Sequence, residues 1–222
     1  MEKAVVLLSG GLDSATCLAI AAETRDVHAL TFDYGSKHSR EIDSAKAVAA
    51  KLGADKHTVM KIELDAIGGS SLIDENIDIE KTGNVTGEIP SSYVPARNLT
   101  FLSLGVALAE VVGAGEVFIG ANSIDYSGYP DCRPEFIDAF QKAVDVGTKA
   151  GAGGTSVKII APLLNMSKSQ IIQKGAEMGV PYELTWTCYS GGERACGKCE
   201  ACVLRLRGFE GAGIADPIEY EG

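Results

Sequence analysis

No apolar run in this chain reaches the roughly 18 to 20 residues that a membrane span requires, so an integral membrane protein is not expected. Met1-Glu2-Lys3 leads straight into an apolar stretch, without the successive regions of a secretory leader, and a cytoplasmic protein is expected. Positive charge is scarce: 20 Lys and Arg face 30 Asp and Glu, a formal net charge of −10. Nucleic-acid affinity comes mostly from Lys and Arg neutralising phosphates. The balance therefore argues against a large DNA or RNA footprint and favours a small-molecule substrate. Internal repeats and coiled-coil heptads are missing as well, which sets aside solenoids and long coiled coils. What is present is 222 residues, 45% of them hydrophobic, the size of one α/β domain with a modest appendage. In a cytoplasmic chain the six cysteines are expected as ligands or core residues rather than as disulfides.

Apolar segments alternate with helical patterns. Strands are expected over residues 4–8, 27–32, 56–62, 116–119 and 157–161, and helices over 13–23, 39–52, 97–112, 134–148 and 167–178. This rhythm predicts an open, mostly parallel five-stranded sheet with helices on both faces. Residues 1–180 would form that α/β domain and residues 181–222 a small C-terminal cysteine-bearing segment. Ligands in such sheets gather at the carboxyl ends of the strands, where the notable polar motifs fall. Residues 68–92 are polar and weakly patterned, as expected of a lid or a partly disordered loop. The Gly/Ala-rich stretch 147–154 is expected to be flexible.

The most informative motif is Ser9-Gly10-Gly11-Leu12-Asp13-Ser14, directly after Leu8 at the end of the first strand. A glycine-rich turn from strand to helix cradles phosphate, because the backbone can approach an anion and the helix N-terminus presents N–H groups. Ser9 and Ser14 add hydroxyl donors. No lysine ends the motif, so it is not the loop that grips an intact triphosphate tail. It resembles the PP-loop of ATP pyrophosphatases, which split ATP between the α and β phosphates. Asp33-Tyr34-Gly35, after the second strand, is expected beside this loop. Lys37, His38 and Arg40 follow as possible phosphate partners, while His28 and His57 carry no partner pattern.

Cys188, Cys196, Cys199 and Cys202 form C-x7-C-x2-C-x2-C, with small residues between them. Four thiolates in this spacing suit tetrahedral zinc, with Zn–S near about 2.3 Å. An iron–sulfur cluster and CxxC redox chemistry are the alternatives; the lack of a fourth cysteine followed by proline weighs against the first. A full set of four protein ligands makes the site structural. The tail looks core-poor, so metal is expected to fold it. Cys17 reads as a buried small hydrophobe, and Cys132 as a core residue or a reactive thiol.

Val94-Pro95-Ala96-Arg97-Asn98 opens an apolar helix. A cation at a helix N-terminus opposes the macrodipole and needs an anion nearby, which makes Arg97 a ligand candidate. Lys168, at the start of another helix, raises the same question. Residues 120–133, GANSIDYSGYPDCR, are dense in hydrogen-bonding groups and aromatics. Tyr126 and Tyr129 could stack on a purine-like base, and Asp125 and Asp131 could accept from its ring N–H and amino groups.

SGGLDS, VPARN, GANSIDYSGYPDCRP, PLLNMSK and the four-cysteine tail together closely resemble the QueC family of 7-cyano-7-deazaguanine synthases, over residues 8–205. One departure is Ser36-Lys37 where Gln-Arg is expected, which keeps a cation. The resemblance implies the PP-loop, adenine nucleotide alpha hydrolase-like fold. It implies a ligase that uses ATP and ammonia to convert 7-carboxy-7-deazaguanine to 7-cyano-7-deazaguanine, in queuosine or archaeosine biosynthesis. It also implies a homodimer with one structural zinc per subunit and Mg2+ on the phosphates. ATP binding falls to Leu8, Ser9, Gly10, Gly11, Leu12, Asp13, Ser14 and Asp33. Base binding falls to Arg97, Asn98, Asp125, Tyr126, Tyr129 and Asp131, and catalysis to Ser9, Asp13, Ser14, Arg97 and Lys168. No nucleic acid or membrane partner is expected. The alternatives are a PP-loop enzyme that adenylates or thiolates tRNA, with Cys132 as its one candidate sulfur carrier, and a non-catalytic zinc-ribbon module.

Overall fold

A computed structural model describes residues 1–81, 89–124 and 128–222. Five strands, β1 (Glu2–Leu7), β2 (Arg25–Asp33), β3 (Lys56–Lys61), β4 (Glu116–Phe118) and β5 (Lys158–Ile160), form one sheet in the order β3-β2-β1-β4-β5. Every pairing is parallel, and the register sets Val5 opposite His28 and Val117. β1 is central, so Ala4 to Leu7 is an unbroken apolar run buried on both faces, as a parallel sheet covered on both sides demands. The edge strand β3 carries exposed and half-buried residues only.

Side chains alternate along β1 and divide the core in two. Ala4, Val6 and Leu8 join a cluster under α1 (Leu12–Ala22), α2 (Arg40–Lys51) and α6 (Lys168–Glu177). Val5 and Leu7 join a cluster under α3 (Arg97–Val112) and α4 (Pro134–Gly147). The five expected helices and five expected strands are present, with no end more than two residues from its expected place.

Two expectations fail. The tail is not core-poor, because it contains a further helix, α7 (Glu200–Ala212), packed on α6. Its Phe209 is 2% exposed and belongs to the first core cluster; burying a side chain of this size contributes about 1.5–3 kcal/mol. The sequence hides this helix because Gly208 and Gly211 read as breakers. Both are packing devices: a Cβ at Gly208 would lie 2.4 Å from the Lys168 side chain and 2.8 Å from that of Ile172. The fully buried Arg205 is held by Asp216 through two 2.8 Å bonds, by Thr185 Oγ1 at 2.7 Å and by the Tyr182 carbonyl at 3.1 Å.

The second concerns the described part of residues 68–92, which is packed at several points; residues 82–88 of that stretch lie outside the described residues. Ser70, Ser71, Leu72 and Ile73 are buried, Leu72 and Ile73 inside the second core cluster. Ser71 N–H donates to the Ser91 carbonyl at 2.8 Å, and Lys37 N–H donates to the Leu72 carbonyl at 2.9 Å. Stretch 147–154 likewise holds a helical turn, α5 (Lys149–Ala152), which the Thr148 hydroxyl caps by accepting from Gly151 N–H at 3.0 Å.

Candidate active site

β1 and β4 are neighbours although two strands separate them in sequence, so chain order reverses between them. At their carboxyl ends, the usual ligand position in such sheets, lies a cavity of about 300 Å³. Leu8, Ser9, Gly11, Leu12, Asp13 and Ser14 form one end of its wall.

The loop before α1 is tied by its own serines. Ser9 N–H donates to Ser14 Oγ at 3.2 Å, the two hydroxyls are 3.1 Å apart, and Ser14 Oγ donates to the Gly11 carbonyl at 3.0 Å. Gly10 adopts φ +86°, and a Cβ there would lie 2.3 Å from the Glu41 carbonyl oxygen. Gly10 is thus turned against α2 rather than onto the cavity wall, and its role is to let the loop pass. Gly11 caps α1 without a side-chain acceptor, so no side chain competes with a ligand for the first-turn N–H groups. Lys168 Nζ lies 2.5 Å from Asp13 Oδ2, which is the anion its helix-start position called for. Among the described residues, the other carboxylate oxygen, Asp13 Oδ1, is buried with no hydrogen-bond partner, as are Asn122 Oδ1 and Thr187 Oγ1; all three residues are on the cavity wall.

Arg97 defines the opposite end. Ala96 is in the left-handed region at φ +55°, the one non-glycine at positive φ among the described residues. Such a conformation costs about 1–2 kcal/mol and fixes where α3 begins. The Arg97 guanidinium lies 5.8 Å from the Tyr34 ring centroid and 5.7 Å from that of Tyr129, with Nη1 3.4 Å from the Tyr34 hydroxyl. The Tyr129 hydroxyl is 2.9 Å from Ser92 Oγ, and Ser92 Oγ donates to Glu200 at 3.4 Å. Burial pushes the Glu41 carboxyl up to about 7, against the pull of Arg97. Burial likewise raises Tyr34, to about 12, and Tyr129 and Tyr189. Arg97, Tyr34, Glu41, Tyr129 and Tyr189 all line the cavity, so this end is aromatic and desolvated, with the Arg97 guanidinium among the rings.

Asn98 lines the cavity as expected, but Asp131 does not. The Asp131 carboxylate accepts from the Asn98 backbone N–H at 2.9 Å, at the first turn of α3. A helix whose own N-cap supplies no side-chain acceptor takes one from elsewhere in the chain. The Asp131 carboxylate therefore caps α3 and stands off the cavity wall. Asp33 is also off the wall. Its neighbours Phe32 and Tyr34 face the second core cluster, and strand alternation turns Asp33 the other way. Asp125 and Tyr126 lie outside the described residues. Lys37 and Arg40 are off the cavity wall and engaged elsewhere. Lys37 Nζ donates to the Ile77 carbonyl at 2.8 Å. Arg40 stacks 3.7 Å from the Trp186 ring centroid and donates to the carbonyls of Gly192 and Glu193.

Sequence reasoning missed Glu41, Phe101, Asn122, Trp186, Thr187, Tyr189 and Glu200 as wall residues. Glu41 and Glu200 stand in the first turns of helices, where acidic residues are common for the macrodipole alone, so they carried no signal. Asn122 lay inside a segment already singled out. Trp186 and Tyr189 flank the first cysteine and were legible as neighbours of that motif.

The four tail cysteines are buried and their sulfurs lie within 4.8 Å of one another. Backbone N–H groups of Ser190 and Cys196 point at Cys188 Sγ, and those of Lys198 and Cys199 at Cys196 Sγ. Hydrogen bonds from Cys199 and Cys202 pull the Cys188 thiol down, and the contacts of Cys202 with Cys188 and Cys199 push Cys202 up. Four thiols this close cannot all ionise without a cation between them, so the donor set fits a soft divalent metal. Cys132 differs: burial, reinforced by the Asp131 charge, pushes its thiol up to about 12, so it is not a thiolate at neutral pH.

The profile of the family described as queuosine biosynthesis protein QueC matches residues 3–213. A 7-cyano-7-deazaguanine synthase of Acetivibrio thermocellus is 56% identical over 99% of this chain and 98% of its own length. Enzymes of the same name from Desulfitobacterium hafniense and Pseudomonas putida are 54% and 52% identical, each over 99% of this chain and over 94% and 98% of their own lengths.

Proposed function

The chain belongs to the QueC family of queuosine biosynthesis proteins, and from that premise we propose that it converts 7-carboxy-7-deazaguanine, ammonia and ATP to 7-cyano-7-deazaguanine. It is an enzyme, a ligase that forms carbon–nitrogen bonds. The observation that carries the reading is the continuity of one cavity between the PP-loop and the Arg97 cluster. Phosphate donors stand at one end, and aromatic faces with a cation at the other.

The chemistry explains the pairing. A carboxylate is a poor electrophile because its oxygen is a poor leaving group. Transfer of AMP to that oxygen, with release of pyrophosphate, makes it one that ammonia can displace to leave an amide. The amide becomes a nitrile when its remaining oxygen is activated and expelled in turn. Ser9, Ser14 and the first-turn N–H groups of α1 hold the phosphates and stabilise charge on the departing pyrophosphate. Lys168 shares that charge and orients Asp13. Arg97 with Asn98 and Tyr129 holds the base. With Asp131 committed to α3, Glu200 is the carboxylate beside Tyr129 that can accept from the guanine-like edge. Mg2+ supplies charge neutralisation on the phosphates. Cys188, Cys196, Cys199 and Cys202 would hold one structural zinc, which would tie residues 181–222 to the 1–180 domain. The enzyme acts as a cytoplasmic homodimer, a point that sedimentation of the purified protein tests.

The tRNA-thiolating alternative needs a reactive sulfur carrier, and Cys132 is a protonated, largely buried thiol. Incubation with ATP, ammonium and the carboxylated base should give the nitrile by mass spectrometry. ATP consumption stimulated by tRNA and not by the base would reverse the assignment.

A further inference from the structure

Asn122 is 9% exposed, and its amide nitrogen is committed to one turn. Nδ2 donates to the Leu163 carbonyl at 3.3 Å and to the Met166 carbonyl. Ser123 holds the Leu164 carbonyl twice, through its N–H at 3.1 Å and its hydroxyl at 2.8 Å. Two consecutive residues after β4 thus grip three carbonyls of the turn after β5. The turn is closed by its own bond, from Met166 N–H to the Leu163 carbonyl at 3.1 Å, and leads straight into α6. Ser167 caps that helix by accepting from Gln170 N–H at 3.3 Å, while Gln170 Oε1 accepts from Ser167 N–H at 2.8 Å. This reciprocal cap fixes Lys168 as the first residue of the helix.

The same short segment also abuts the PP-loop. Gly120 approaches α1 so closely that a Cβ there would lie 3.0 Å from Ser14 N and 3.1 Å from the Asp13 backbone. Residues 120–123 therefore touch Asp13 at one end and hold the turn that carries Lys168 at the other. Lys168 Nζ, 2.5 Å from Asp13 Oδ2, closes the circuit. Resting on the function proposed above, we infer that Asn122 and Ser123 are positioning residues: they fix the origin of the Lys168 side chain and so hold its ammonium at Asp13 and the PP-loop, where pyrophosphate departs. A lysine stem has several rotatable bonds, so its charged end is placed only when its backbone is. Small displacements of such a group are expensive in rate. On the tail side the stem passes Gly208, where a Cβ would lie 2.4 Å from Lys168 Cγ, so its path is confined from there as well. The two positioning residues differ in one respect: Asn122 is on the cavity wall and Ser123 is not. An effect shared by both passes through the turn. An effect confined to Asn122 passes through the cavity, where Oδ1 has no partner among the described residues.

Two readouts separate this inference from the reading beneath it. The first needs no substrate. The Lys168 side chain is 13% exposed. Its acetylation by acetic anhydride, followed by peptide mass spectrometry, should be about two- to tenfold faster in Asn122→Ala and in Ser123→Ala than in the wild type. Lys174, further along α6, should be labelled at the wild-type rate. The second readout is base-dependent exchange of pyrophosphate into ATP, run without ammonium. Its maximal rate should fall about two- to tenfold in both variants, while the KM values for ATP and base hold. If the wild type shows no exchange, the proposed function fails and the labelling alone decides the positioning role. Unchanged labelling of Lys168 in Ser123→Ala overturns the inference, whatever Asn122→Ala does. A parallel rise at Lys174 also overturns it, because α6 would then be loosening as a whole. So does a KM for ATP or base that rises in Asn122→Ala alone at an unchanged maximal rate, which would make Oδ1 a ligand contact. If Asn122→Ala does not fold, Ser123→Ala decides, since its backbone bond to Leu164 keeps the turn in place.

Discussion

Asp131→Ala should cost stability before it costs specificity. Asp131 is 7% exposed and accepts from the Asn98 backbone N–H at 2.9 Å, while its own carbonyl accepts from Asn98 Nδ2 at 3.3 Å. The substitution removes the carboxylate and leaves the carbonyl. Loss of an N-terminal helix acceptor costs about 0.5–2 kcal/mol, and loss of a negative charge beside the positive end of the helix about 0.3–1 kcal/mol. One carboxylate serves both roles, so a total of about 1–2 kcal/mol is expected. A chain of this length loses about 2–4 °C in Tm per kcal/mol, which puts the shift at about 2–8 °C. Asp131→Asn keeps an acceptor and should recover most of it. The assay is thermal unfolding followed by circular dichroism, with KM for base and ATP measured alongside. Because Arg97 precedes Asn98, the KM for the base should rise as α3 frays, in step with the stability loss across the two variants. An Asp131→Ala protein with wild-type Tm and strongly weakened base binding would show that the carboxylate touches the base, and the capping argument would be wrong.

Asp216→Ala leaves the fully buried Arg205 without its ion pair; breaking such a pair costs about 3–5 kcal/mol, readable as an early denaturant midpoint. Glu41 gives a pH signature: its carboxyl is raised from 4.5 to about 7 in the fold. Between those values the folded state holds a proton that the unfolded state has lost, so stability should fall as pH rises through that window. Glu41→Gln should flatten that part of the stability–pH curve, and an unchanged curve would refute the raised value. Chelation of the tail metal, or Cys196→Ser, should release one metal per chain by elemental analysis and weaken ATP binding, whereas Cys132→Ser should leave the metal content unchanged; retention of metal by Cys196→Ser would break the four-ligand assignment.

The sheet was legible because its signals are local. An apolar run such as Ala4 to Leu7, bounded by a polar start and a glycine turn, reads as a buried strand without any knowledge of its partners. The phosphate loop was legible for the same reason. The opposite end of the cavity was not, because it is assembled from α2, α3, the segment around Tyr129 and the cysteine tail, and no single stretch encodes that convergence. Asp131 shows the limit most clearly. Its residue type suits base recognition and helix capping equally, and only the position of Asn98 decides between them. Gly208 shows the converse: a residue with low helix propensity sits in a helix because α6 comes too close for any side chain.

The cysteine tail is part of the active site rather than an appendage to it. Trp186 N–H donates to the Gly10 carbonyl at 2.9 Å, so the segment entering the cysteine cluster holds the PP-loop directly. Arg40 covers the Trp186 ring and clamps the turn at Gly192 and Glu193, coupling α2 to both. α7, which carries Cys202, brings Glu200 and Leu204 to the cavity wall and anchors its far end in the first core through Phe209. The sulfurs therefore lie between two sets of contacts, one on the phosphate loop and one on the base end of the cavity. A metal that draws them together fixes the separation of those two ends. On the proposed function, that separation would match the distance from the reacting carboxylate to the recognised edge of the base, because positioning of this kind is what converts binding into rate.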